Sequence, residues 1–117
     1  VLFRQVVEHV GDRPVFSAPL EPFAGGPAGG QAILYDGAGE DWVLVIAGGL
    51  PPGGEPYTAV LPSLERPVRV ASLERSGPGR HSGYRVFRRD LSSYREIVVT
   101  DAAGDPVLRG GFRPYSP

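Results

Sequence analysis

The sequence predicts an all-β domain: an Ig-like two-sheet antiparallel sandwich of about seven or eight short strands, with a short helix at its N-terminus. Three observations predict it. The 17 Gly and 13 Pro of the 117 residues interrupt every long helical pattern. Short apolar and β-branched runs recur between the interruptions. Gly- and Asp-containing turn signals separate those runs at the intervals a sandwich uses.

Taken in order, Val1–Val10 has apolar residues at Leu2, Phe3, Val6, Val7 and Val10, three and four apart, with Gly11 at a C′ position. That spacing predicts a short helix, and its β-branched content keeps a strand as the alternative. Residues 1–11 are thus a linker or short helix, and 12–117 a single β-sandwich domain. Val15–Phe23 is an edge strand, because Pro14, Pro19 and Pro22 each remove a ladder donor. After a Gly-rich loop, Gln31–Tyr35 and Trp42–Ala47 form a hairpin around Asp36–Asp41. The uninterrupted apolar run Trp42–Ala47 suits a central strand covered on both faces.

Gly48–Pro56 cannot continue a ladder, so the chain crosses over there before Tyr57–Leu61 resumes as a strand that Pro62 ends. Val68–Leu73 follows, then a polar, flexible stretch Glu74–Gly83, then Tyr84–Arg88. Arg95–Thr100 and Val107–Phe112 close a last hairpin around Asp101–Asp105.

Composition excludes several classes of function. With no Cys there is no disulfide framework, thiolate nucleophile or cysteine zinc site. A net charge of -1 gives no general attraction to nucleic acid or anionic lipid. No stretch reaches the roughly 18 apolar residues of a membrane helix, and the start at Val1 without Met leads us to expect a fragment of a longer chain. Any membrane contact is expected only through a segment upstream of Val1.

Three segments, in order, resemble a known family. They are Gly30–Asp36 with the apolar strand ending Gly49-Leu50-Pro51-Pro52, then Tyr57–Leu61, then Ile97–Gly104. The set is similar to the extracytoplasmic C-terminal domain of bacterial membrane-anchored anti-sigma factors of the anti-sigma-K type. The sequence departs from that pattern at Val60, where the family has Trp, and lacks the late Pro and second Gly. The resemblance implies a β-sandwich on the extracytoplasmic face of the bacterial cell membrane. Residues 1–11 would be juxtamembrane, and one helix upstream would join the domain to a cytoplasmic part that sequesters a sigma factor. It implies a sensory or regulatory role in transcription regulation, without catalysis or cofactor, acting through protein partners such as sensor or protease components.

Candidate chemistry is sparse. His9 and His81 are the only imidazoles, 72 positions apart, and are expected as solvated side chains rather than metal ligands. Gly79–Gly83 approaches a nucleophile elbow, but with Ser82 in the wrong place. Asp36–Asp41 and Asp101–Asp105 pair acidic residues around Gly, which suits calcium in chemistry and tight turns better. Arg75, Arg80, Arg85, Arg88, Arg89 and Arg95 interleave with Tyr84, Phe87 and Tyr94, the ingredients of a single-strand nucleic-acid surface. Strand alternation divides them between two faces. Catalytic, cofactor and metal residues are therefore expected to be none. The candidate contact loop is Leu50, Pro51, Pro52 and Tyr57, on the argument that loops on a rigid scaffold carry function. The alternatives are a cell-wall or carbohydrate-binding β-sandwich module and an OB-like nucleic-acid binder. An edge strand would allow a homodimer.

Overall fold

Period-two alternation of apolar and polar residues is the force that shapes this chain, and the computed structural model, described over residues 15–37, 40–91 and 93–114, shows how far it reaches. The strands are β1 (Val15–Pro22), β2 (Gly29–Asp36), β3 (Asp41–Gly48), β4 (Tyr57–Leu61), β5 (Val68–Gly77), β6 (Arg80–Phe87), β7 (Glu96–Thr100), β8 (Pro106–Gly111) and the two-residue β9 (Arg113–Pro114). A single 3-10 turn, Pro52–Gly54, is the only helical element among the described residues. The N-terminal helix expected over 1–11 lies outside them.

The first eight strands close into an antiparallel barrel in the order β1-β2-β3-β6-β5-β4-β7-β8 and back to β1. This corrects the open Ig-like sandwich. Two strands belong to both halves and so join what would have been separate sheets. The first half of β5 pairs with β4, while Glu74, Arg75 and Gly77 pair with β6 across a bulge. Likewise β1 gives Val15–Leu20 to β2, and Glu21 and Pro22 to β8. Strands that switch partners make the corners of a closed structure. At the second corner Gly110 lies against Pro19, whose carbonyl oxygen would stand 2.4 Å from any Cβ placed there.

Two sequence expectations change with closure. β1 is not an edge: β2 lies on one side of it, and β8 with β9 lie on the other. The stretch Glu74–Gly83 is not a flexible loop, because β5 and β6 run through it and turn at Pro78-Gly79, where Gly79 has φ +68°. Most of its polar residues face solvent from a strand, and His81 is the buried exception.

The interior is filled by the inward set, with Ala18, Leu34, Val43, Val45, Ala59, Leu61, Ile97, Val99 and Leu108 among its most deeply buried members. Above the bulged corner β5 and β6 splay apart. There the Arg85 guanidinium reaches across to the Arg69 carbonyl at 3.1 Å while lying 4.8 Å over the Phe87 ring.

Candidate functional site

The connection from β3 to β4 must pass over two strands, β6 and β5, to reach its place in the ring. It does so at one end of the barrel, beside the β5–β6 and β7–β8 turns. Gly49 N–H donates to the Gly79 carbonyl at 2.9 Å, and Ala102 N–H donates to the Gly54 carbonyl at 2.9 Å, so both neighbouring turns hold the crossing loop. Gly49 has φ +71°, and a Cβ there would also meet the Pro27 carbonyl at 2.7 Å. Tyr57 closes the loop from inside, its hydroxyl donating to the Pro51 carbonyl. The Glu55–Pro56 peptide bond is cis.

Beneath the loop sits a polar cluster that the sequence argument missed. Glu55 extends over the barrel end and divides its carboxylate: Oε2 lies 3.0 Å from His81 Nε2, and Oε1 accepts from Arg75 Nη2 at 2.6 Å. The hydrogen bond with His81, and then that from Arg75, hold the Glu55 carboxyl below the usual carboxylate range. His81 is 1% exposed, not solvated as expected. Its ring stands edge-on to Tyr57 with centroids 5.3 Å apart. With Nε2–H donating to Glu55, Nδ1 is left as a buried acceptor with no partner among the described residues. Burial, and then the charges of Glu55 and Asp101, raise the Tyr57 phenol above its ordinary value.

A buried imidazole whose remaining nitrogen faces no solvent is a tie, not an accessible base. The signal that could have found it is parity: on β6, His81, Gly83, Arg85 and Phe87 share one face, and Phe87 points inward. The four predicted contact residues divide by the same logic. Leu50 and Tyr57 are buried and anchor the loop, while Pro51 and Pro52 are exposed at its crest.

The other features singled out in the sequence settle elsewhere. At the opposite barrel end, carboxylate oxygens of Asp36, Asp41 and Asp90 lie within 4.8 Å of one another. Asp41 Oδ2 accepts from the Leu91 N–H at 2.7 Å and thereby fixes the β6–β7 connection. Burial raises the Asp41 carboxyl, the Leu91 hydrogen bond opposes this, and Asp36 and Asp90 add to the rise. In the β7–β8 turn Asp101 Oδ1 accepts from the N–H groups of Ala103 and Asp105, each at 3.0 Å, the geometry of an Asx turn. Ser82 lies within β6 with no helix behind it, so no nucleophile elbow forms. His9 is outside the described residues. Of the arginine series, Arg75 is spent on Glu55 and Arg85 on the β5–β6 corner, while the Tyr94 hydroxyl donates to the Arg66 carbonyl at 2.8 Å.

No family model matches this chain, nor does any curated protein or solved structure.

Proposed function

We propose that the barrel is a non-catalytic extracytoplasmic regulatory domain, the outer part of a membrane-anchored protein of the anti-sigma-factor kind, acting by protein contact through the end that the crossing loop covers. One observation carries this reading. The three segments that bear the family resemblance converge there: the first ends at Gly49–Pro52, the second begins at Tyr57, and the third ends in the turn whose Ala102 N–H holds Gly54. A loop already fixed by Tyr57, Glu55 and two backbone bonds loses little further freedom on binding, which favours recognition by Pro51 and Pro52.

The test uses the full-length gene product. The reading requires one membrane helix and a cytoplasmic sigma-binding part encoded ahead of Val1, with the barrel outside the cell membrane. Replacing Pro51 and Pro52 by Glu should then alter transcription from a sigma-dependent reporter while leaving barrel stability unchanged. A gene without a membrane segment and a sigma-binding part sinks the reading. Retention of the isolated barrel on peptidoglycan or glycan beads would favour the cell-wall-binding alternative.

A further inference from the structure

β5 and β6 are paired only at their turn end, where Glu74 stands opposite Ser82, Arg75 opposite His81 and Gly77 opposite Arg80. Beyond it, Val68–Leu73 pairs with β4 alone and Gly83–Phe87 with β3 alone. Successive N–H and C=O groups of a strand point alternately to its two sides, so each stretch turns backbone donors and acceptors toward a neighbour it does not have. The seam opens just past Gly83, where an added Cβ would still lie 3.2 Å from the Ser72 carbonyl oxygen. By Arg85 the two backbones no longer meet, and it takes a whole arginine side chain to reach the Arg69 carbonyl. Solvent reaches both sides of the opening: Tyr84 and Val86 on the outer face of β6 are 65% and 46% exposed, and Arg69 and Arg85 are exposed as well.

We infer that this seam is a docking site for an extended, acidic segment of another protein, which adds to β6 as a strand. The unpaired backbone of β6 supplies the hydrogen bonds that any extended chain can take up. Alternation supplies the selectivity. Residues of the incoming strand on the outer face lie beside Tyr84 and Val86 and suit apolar side chains, while those on the other face meet Arg85 and suit carboxylates. Charge selects the occupant. Together β5 and β6 hold four arginines, Arg69, Arg75, Arg80 and Arg85, and one carboxylate, Glu74, which sits at the paired end. Arg75 is held by Glu55, whereas Arg69 and Arg85 are in no ion pair among the described residues. A second copy docking by the same edge would bring a β6 without a carboxylate and set its Arg85 near this one, so like charges oppose that pairing. The seam occupies the half of β6 remote from the crossing loop, and the contact is separate from the one proposed at the loop crest.

The test uses the full chain and a peptide of the stated chemistry, acetylated and amidated Val-Glu-Val-Glu-Val. It should shift the amide NMR signals of Tyr84–Phe87 and slow the hydrogen exchange of those that point away from β3 by about tenfold near saturation. The same peptide with Lys in place of Glu should do neither, and nor should the Val-Glu peptide methylated on every backbone nitrogen, which cannot pair as a strand. Arg85→Glu, with the far-ultraviolet circular dichroism of the barrel retained, should transfer binding from the Glu peptide to the Lys peptide. No effect of the Val-Glu peptide at about 1 mM overturns the inference. Equal binding of the methylated peptide or of the Lys peptide overturns it too, because strand pairing or charge would then play no part. So does protection of the same amides that rises with protein concentration and accompanies a dimer in sedimentation, since a second copy would then fill the seam. The peptide comparisons need only the unsubstituted chain and stand even where Arg85→Glu does not fold.

Discussion

His81 and Glu55 stand 26 positions apart in sequence and 3.0 Å apart in space, and through them the crest of the crossing loop is bonded to the first residues of β6. One side of this pair is buried and the other is over a third exposed. It therefore transmits a solvent-accessible charge to an inward-facing ring.

Removing the ring tests the tie. His81→Ala leaves a cavity beside Tyr57 and frees Glu55, and we expect a loss of roughly 2–3 kcal/mol in unfolding free energy, read by urea denaturation. Hydrogen exchange at Ala102, whose N–H is held by Gly54, should quicken in the same variant.

The pH dependence at this end has a definite sign. Glu55 titrates lower in the folded chain than its ordinary 4.5, so the stability it contributes is complete above 4.5 and is lost as pH falls from there through its folded value. Thermal melts across that window should show the loss in the unsubstituted chain and a shallower one in Glu55→Gln.

The opposite end behaves in the opposite sense. Asp41 titrates higher in the folded chain than its ordinary 3.8, so its buried charge lowers stability above the folded value and the cost is relieved as pH drops toward 3.8. Asp41→Asn keeps an acceptor for the Leu91 N–H and removes one of three clustered charges. It should stabilise the barrel at neutral pH by on the order of 1 kcal/mol, measured as a rise in melting temperature that disappears in acid.

Closure of the ring is open to a single-atom challenge. Gly110→Ala would set a methyl group against the Pro19 carbonyl at a separation no Cβ tolerates. Displacing β1 from β8 there should cost about 1–3 kcal/mol, again by urea denaturation.

At the loop crest, stability and recognition should separate. Pro52→Glu changes an exposed residue and should alter stability by less than about 0.5 kcal/mol while disturbing the sigma-dependent reporter. Tyr57→Phe removes the bond to Pro51 and should lower stability by about 1 kcal/mol, with the loop amides exchanging faster.

Local pattern in this chain was easy to read and its closure was not. Tyr57–Leu61 is a strand over the expected residues, and both expected hairpins, β2–β3 and β7–β8, form, because apolar alternation and turn residues act over a few positions. The corners depend on which partner each half of β1 and β5 takes, a choice made by packing between distant segments. The prolines of β1 suggested a free edge, but two residues, Glu21 and Pro22, suffice to bring β8 alongside. Charged residues in Glu74–Gly83 hid the end of β5 and the beginning of β6, whose other halves were expected at Val68–Leu73 and Tyr84–Arg88, since a strand with one solvated face tolerates them. With that hairpin went His81, whose burial follows from its phase with Phe87, and Glu55, which no periodicity marks because it lies in a loop.

Pairing between Glu21 and Arg109 joins the beginning of the described chain to its end. The ring therefore cannot be completed without β8, and a ribosome still holding β8 holds an open sheet. Contacts of such long sequence separation must overcome a large loop-closure entropy, which places this barrel among the slow folders for its size. Truncation before Leu108 would leave a chain able to form its hairpins and unable to shut.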